Sequence, residues 1–265
     1  MTWDPEIDDP TARPPAGHDP YVDEEPQVAI RTVRPDVFVP IDPDAPISGH
    51  HVPADPPRHA DAPEHDWETA ARHLYPLLRP AGTSGARVTD LDVTELRSHS
   101  NIPHSEPLVD EGPAGLAIVY AIQSNGFDVI TSADHVLAWG VGIKTLRDTA
   151  YRNLATWSGG TGWAEEADGD RKLLSSASGE GWDAGRILLQ DVRDHLAQSL
   201  GDGGARVLIG LPDRDLLVAS RLTAEDAEFA SHFAAFVGDQ SDGADEPIDR
   251  RVFELRGGQL VEFAG

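Results

Sequence analysis

From Asp66 onward the apolar positions of the chain recur with the periods of folded elements. Trp67, Ala70, Ala71, Leu74 and Leu78 fall three or four residues apart, which predicts one helix over residues 67 to 79 with Pro80 stopping it. Gly115 to Ile122 (GLAIVYAI) is a nearly continuous apolar run, and Asn125 and Gly126 supply a turn before a second strand from Phe127 to Thr131. Ser132 then precedes a short helix ending near Gly140, and Ile143, Leu146, Ala150, Leu154 and Trp157 mark a second helix.

Gly159, Gly160 and Gly162 interrupt the pattern before another strand, Arg171 to Ser178. Gly179, Gly181 and Gly185 lead into a helix expected from Arg186 to Leu200, buried through Leu188, Leu189, Val192 and Leu196. Two strongly apolar strands follow, Arg206 to Leu211 and Leu216 to Arg221, joined by Pro212, Asp213, Arg214 and Asp215. Thr223 with Asp226 loosely matches a capping box for a helix whose stripe is Phe229, Ala230, Phe233, Phe236 and Val237. An acidic loop from Asp239 to Pro247 leads to a closing hairpin, Arg251 to Leu255 and Gln259 to Phe263, turned by Gly257 and Gly258. Strands joined mostly by hairpins with helices interspersed predict an α+β fold with an antiparallel or mixed sheet and helices packed on it; no internal repeat is present.

The first quarter of the chain has a different character. Residues 1 to 65 hold 14 of the 21 prolines, and 14 acidic residues against four arginines leave this segment at −10. Each proline removes a backbone donor and fixes an extended geometry, so the segment reads as an acidic, mostly extended or disordered tail before a globular domain at 66 to 265. Within it, Val28, Ile30, Val37, Val39 and Ile41 alternate around Pro35 as a short edge strand or docking peptide would.

Charge narrows the classes of partner. With 46 acidic residues against 21 basic ones, the formal net charge of −25 repels nucleic-acid backbones and anionic membranes and favours basic partners. No run of 18 uncharged apolar residues occurs and the N-terminus lacks a signal-like pattern, so neither a membrane span nor secretion is expected. The absence of cysteine excludes disulfides, thiolate metal sites and a cysteine nucleophile, and fits a cytoplasmic location.

Signatures of specific chemistry fail at the level of spacing. Ser158 to Gly162 (SGGTG) lacks the Lys and hydroxyl residue of a phosphate loop, and Gly179 to Gly185 (GEGWDAG) has the wrong third spacing for a dinucleotide loop. No cofactor is expected from either. His50, His51, His59 and His65 lie in the acidic tail without the rigid support a metal site needs. Glu165, Glu166, Asp168 and Asp170 lack the ligand alternation of a calcium loop and read as a solvated acidic loop, so no metal is expected. There is no nucleophile elbow, and His135 and His195 each follow an aspartate in helices, where adjacent side chains diverge; both read as solvent-facing.

The charged corner between the two apolar strands needs a reason. Asp213 can accept a backbone amide in an Asx turn and Arg214 can fork onto a carboxylate, a structural role. The same guanidinium could instead receive a substrate carboxylate or phosphate, with Asp215 as general base or cation ligand.

Taken in order, GLAIVYAI, AYRNLATW at Ala150 to Trp157, GEGWDAGRILL, VLIGLPDRDLLV and FELRGGQLVEF resemble the bacterial family known as domain of unknown function 1444, over about residues 66 to 265. The Pro212, Asp213, Arg214, Asp215 turn carries most of the likeness, supported by Asn153 with Leu154 and by the segment around Trp182. Family members commonly carry Asn in place of Asp213 and a small hydroxyl residue in place of Gly185. The resemblance implies a cytoplasmic α+β domain and supplies no established reaction.

Three functional expectations follow. The first is an accessory or protein-binding module that masks a basic partner, one form being an immunity-type partner of a nucleic-acid-cleaving toxin. The second is a hydrolase or transferase acting on a small anionic or peptide substrate, with Arg214 binding, Asp215 or Asp183 handling protons, and Asn153 and Trp182 in the same pocket. The third is a scaffold component docking through the tail.

Overall fold

The computed structural model describes residues 63–87, 93–98, 105–124, 127–224 and 226–265. The tail before residue 63, with Val28 to Ile41 and His50, His51 and His59, lies outside the described residues, as do Asn125 and Gly126. The fold is α+β, as its patterning predicts, and its two sheets are built from antiparallel strand pairs.

The chain enters through a single 3-10 turn, Pro63–His65, and a one-turn helix α1, Trp67–Ala70, whose first turn is capped by the Asp66 side chain accepting from the Thr69 amide. It then becomes a strand, β1, Leu74–Arg79. The helix expected over residues 67 to 79 is therefore corrected: helix and strand divide it. Pro76 is the physical reason, since a proline inside a helix removes a backbone bond and clashes with the preceding turn, whereas an edge strand tolerates it. β1 is such an edge, paired with β3, Ala117–Ser124, with Pro76 opposite Tyr120. The other side of β3 is shared: β2, Val109–Glu111, pairs with its first half and β4, Phe127–Ile130, with its second. A short helix α2, Val93–Ser98, precedes β2. Neither α2 nor β2 was legible in the pattern, because they are only six and three residues long.

After this sheet come α3, Ala133–Trp139, and α4, Ile143–Gly160, both at their expected positions. α3 ends on Gly140 at φ 68°, a left-handed geometry that suits glycine. His135 is half-buried and bonded to Ser132 rather than facing solvent: its Nδ1 lies 2.9 Å from Ser132 Oγ and accepts from the Ser132 amide at 3.1 Å. α4 rests on β1, placing Leu146, Ala150 and Leu154 in the core.

The second sheet has six strands in the order β10, β9, β7, β8, β6, β5. β5, Ala164–Asp168, and β6, Arg171–Ser176, form a hairpin, so the acidic stretch read as a loop is an edge strand. Its side chains are all exposed, and acidic residues on an edge repel unwanted strand pairing. The helix expected from Arg186 is also corrected. A 3-10 turn, Ala184–Leu188, comes first, Leu189 is extended, and α5 runs over Gln190–Leu200. β7, Arg206–Asp213, and β8, Leu216–Leu222, form the central hairpin. α6, Ala227–Asp242, reaches into the stretch read as an acidic loop. Asp226 makes no side-chain cap; its carboxylate receives the Arg171 guanidinium at 2.6 and 3.0 Å. The closing hairpin is β9, Val252–Arg256, and β10, Gln259–Glu262.

β7 explains why its sequence is apolar without alternation. Val207, Ile209 and Leu211 join the large core shared with the first sheet, while Leu208 packs with Val218, Phe233 and Val237 under α6. A strand covered on both faces needs apolar residues at every position. Gly210 lets α6 come close: a Cβ there would lie 2.5 Å from a Val237 methyl and 2.8 Å from Val218. Among the described residues no helix is long and apolar enough to cross a membrane.

Candidate functional site

The β7–β8 corner is held by its neighbours on both sides. The Asp215 amide donates to Asp213 Oδ1 at 3.0 Å, the Asx turn the sequence suggests. On one side Ile248 donates to the Pro212 carbonyl at 3.1 Å and Arg214 donates to the Glu246 carbonyl at 3.3 Å. On the other the Ala184 amide donates to the Arg214 carbonyl at 3.0 Å. The corner is thus a fixed part of the body, with its backbone groups paired.

Arg214 is largely buried, and its Nη1 reaches Asp128 Oδ2 at 2.7 Å and Glu246 Oε1 at 2.8 Å. Glu246 is itself held by Arg79 at 2.6 Å, giving a chain of alternating charges from β1 to the corner. Burial works against the Arg214 charge, but the Asp128 hydrogen bond and the two carboxylates outweigh it and its pKa is raised. Burial likewise pushes the Glu246 carboxyl up, and the Arg79 hydrogen bond with the two guanidinium charges brings it below the usual range. Among the described residues, Arg214 Nε and Asp215 Oδ1 are buried without a hydrogen-bond partner. Burial raises the Asp215 carboxyl, with Arg214 opposing it.

Trp182 lies 1% exposed beneath this corner, stacked on Tyr75 of β1 at 4.3 Å between ring centroids, with the Arg214 guanidinium 5.8 Å from its ring. Such a stack adds about 1 kcal/mol beyond the area it buries. Asp183, the next residue, is fully buried and accepts from Ser176 Oγ at 2.5 Å, from the Ser178 amide at 2.9 Å and from Ser178 Oγ at 2.6 Å.

Ser176 joins Asp183 to a residue that sequence reasoning passed over. Arg186, 2% exposed, donates to Ser176 Oγ at 2.7 Å, to Ser158 Oγ at 3.0 Å and to the carbonyls of Ser158, Thr161 and Gly162 at 3.1–3.3 Å. Trp163 covers its guanidinium at 4.1 Å. The glycine-rich stretch read as punctuation is thus the last turn of α4 and the two residues that follow it, whose carbonyls are taken up by a buried cation. Burial pushes the Arg186 pKa down and the nearby Asp183 charge opposes this. The signal was missing because these acceptors lie 10 to 28 residues away in sequence.

Asn153 of α4 donates from Nδ2 to the carbonyls of Ala71 and Leu74, both at 2.8 Å. It ties α4 to the junction where α1 ends and β1 begins. Asn153 holds the Leu74 carbonyl beside Tyr75, whose ring stacks on Trp182 beneath Arg214, while Asp183 turns away toward Ser176 and Arg186. Most of their polar groups are spent on one another or on backbone, which leaves a packed joint between the two sheets. Open grooves run along α6 instead, one bounded by Phe229, Phe233 and Phe236, another by Arg206, Ala230 and Phe263. Among the described residues no three His, Asp or Glu side chains converge as metal ligands. No family model, curated protein or solved structure matches the chain.

Proposed function

We propose that the chain is a cytoplasmic accessory module that binds another protein and masks a basic surface on it. The observation that carries this reading is the commitment of Arg214: its Nη1 serves Asp128 and Glu246, so the cation best placed to receive an anionic substrate is already neutralised inside the fold. The net charge of −25 supplies the attraction for a basic partner. Its long-range part is screened by salt, whereas burial of apolar surface is not. Affinity capture from the native cell, washed at ionic strengths from about 0.05 M to about 0.5 M, tests this. A basic partner that is released progressively is expected, and retention independent of salt overturns the electrostatic reading.

One observation favours a second reading, a hydrolase or transferase using Arg214 and Asp215. Asp215 Oδ1 is buried without a hydrogen-bond partner and its carboxyl is raised by burial, a combination frequent at catalytic carboxylates. The Asp215→Asn variant described in the Discussion separates the two.

A further inference from the structure

Among the described residues, the outer face of the six-stranded sheet carries a single helix, α6, which rests on β7, β8 and β9. The sheet continues past it through β6 and β5, and a groove of about 400 Å³ opens there. Leu173 and Val218 form its floor, Phe229, Phe233 and Phe236 its helical wall, and Glu166 of β5 its far rim. Phe236 is the one large hydrophobic side chain exposed among the described residues, at 41%, and it stands in this wall.

The dimensions restrict what fits. Two strands at a spacing of about 4.8 Å leave a strip roughly 10 Å wide, the diameter of one α-helix. Helices packed side by side lie about 8–10 Å apart, so a helix laid along β6 and β5 would meet the α6 wall at normal packing distance. The charges restrict it further. Glu166 and Asp168 lie on the groove face of β5, opposite Leu173 and Arg171, while Glu165 falls on the other face; Asp170 sits in the turn and Glu228 in the first turn of α6. On this side Arg171 is engaged by Asp226, and His232 of the helical wall lies 3.9 Å from Glu228, so the rim stays acidic. A second copy of this chain would bring like charge to the rim and is disfavoured.

We propose that this groove receives one amphipathic α-helix of a partner protein, its Leu, Ile or Phe stripe set on Phe236 and Leu173 and its Lys or Arg flank against Glu166 and Asp168. The inference rests on the reading of the chain as a module for basic partners and names where such a partner sits.

The full chain is titrated against a fluorescent Leu/Lys amphipathic peptide of about 18 residues, long enough to hold a helix on binding, and against its Leu/Glu twin, by anisotropy. The Leu/Lys peptide binds and the Leu/Glu twin does not. Phe236→Asp weakens binding roughly tenfold, as loss of an apolar anchor does. Glu166→Lys weakens it and makes it less sensitive to salt. Both side chains are exposed, so both variants keep the parent melting temperature. Equal binding by parent, Phe236→Asp and Glu166→Lys overturns the groove while leaving a basic-partner function standing; no binding of the basic peptide to the parent removes both. A dimer dissolved by Phe236→Asp, or displacement of the probe by a peptide of residues 28–41, assigns the groove to this chain itself and overturns the proposal.

Discussion

Gly181 and Arg214 occupy the same few ångströms: a methyl group on Gly181 would stand 2.1 Å from Arg214 Nη2. The backbone of Gly181 is at φ 87°, so an alanine there is strained before it touches anything. Gly181→Ala therefore displaces the guanidinium from Asp128 and Glu246 as well, and about 2 kcal/mol or more of stability is lost. Urea unfolding of Gly181→Ala, Arg214→Ala and the double variant checks this. The double variant costs less than the sum of the singles, because each disturbs the same pairing.

Arg186 is the buried cation on which the end of α4 depends. Arg186→Leu leaves the Ser176 and Ser158 hydroxyls and the carbonyls of Thr161 and Gly162 without this donor and costs about 3–5 kcal/mol. Arg186→Lys recovers little, since an ammonium cannot span acceptors arranged for a planar fork. A melting temperature for Arg186→Lys equal to the parent contradicts this account.

Asp215→Asn removes a charge that burial disfavours. Stability at neutral pH is unchanged or raised, and capture of a basic partner is unaffected if the corner is structural. A folded Asp215→Asn protein that loses a measurable turnover of the parent establishes the enzymatic reading in its place.

His135 confers a pH dependence at mildly acidic values. Burial pushes its pKa below 6.5, with Glu64 and Asp134 opposing. The unfolded chain therefore takes up the proton first, and stability present above the unfolded pKa falls as pH drops from about 7 through the folded value. Glu246 and Glu254, held below the ordinary carboxylate range, add to the loss only at more acidic pH. His135→Gln retains a side chain suited to the third position of a capping box and flattens the slope of melting temperature between about pH 7 and about pH 6. An unchanged slope assigns the transition elsewhere.

Periodicity was sufficient for α3, α4, β3, β4, β7, β8 and the closing hairpin, because each holds a run long enough for its apolar spacing to be distinctive. It failed at residues 67 to 79, where a helical stripe coincides with an edge strand and only Pro76 argues against the helix. It failed again at β5, whose exposed acidic side chains carry no apolar signal and which is a strand only because β6 lies beside it.

The candidate cluster was legible as a set of residue types and not as a role. Asn153, Trp182, Asp183, Asp213, Arg214 and Asp215 announce themselves as charges and an aromatic among glycines and apolar runs. Whether such groups meet a ligand or one another depends on partners far away in sequence: Asp128 and Glu246 for Arg214, Ala71 and Leu74 for Asn153. Local spacing carries information over one or two turns of chain, so by itself the sequence determined the longer apolar elements, their buried faces and the acidic charge. Only tertiary packing decided that most of this cluster's polar groups meet one another or backbone and that the open apolar surface lies along α6, because burial and hydrogen-bond partnership arise when distant segments are brought together.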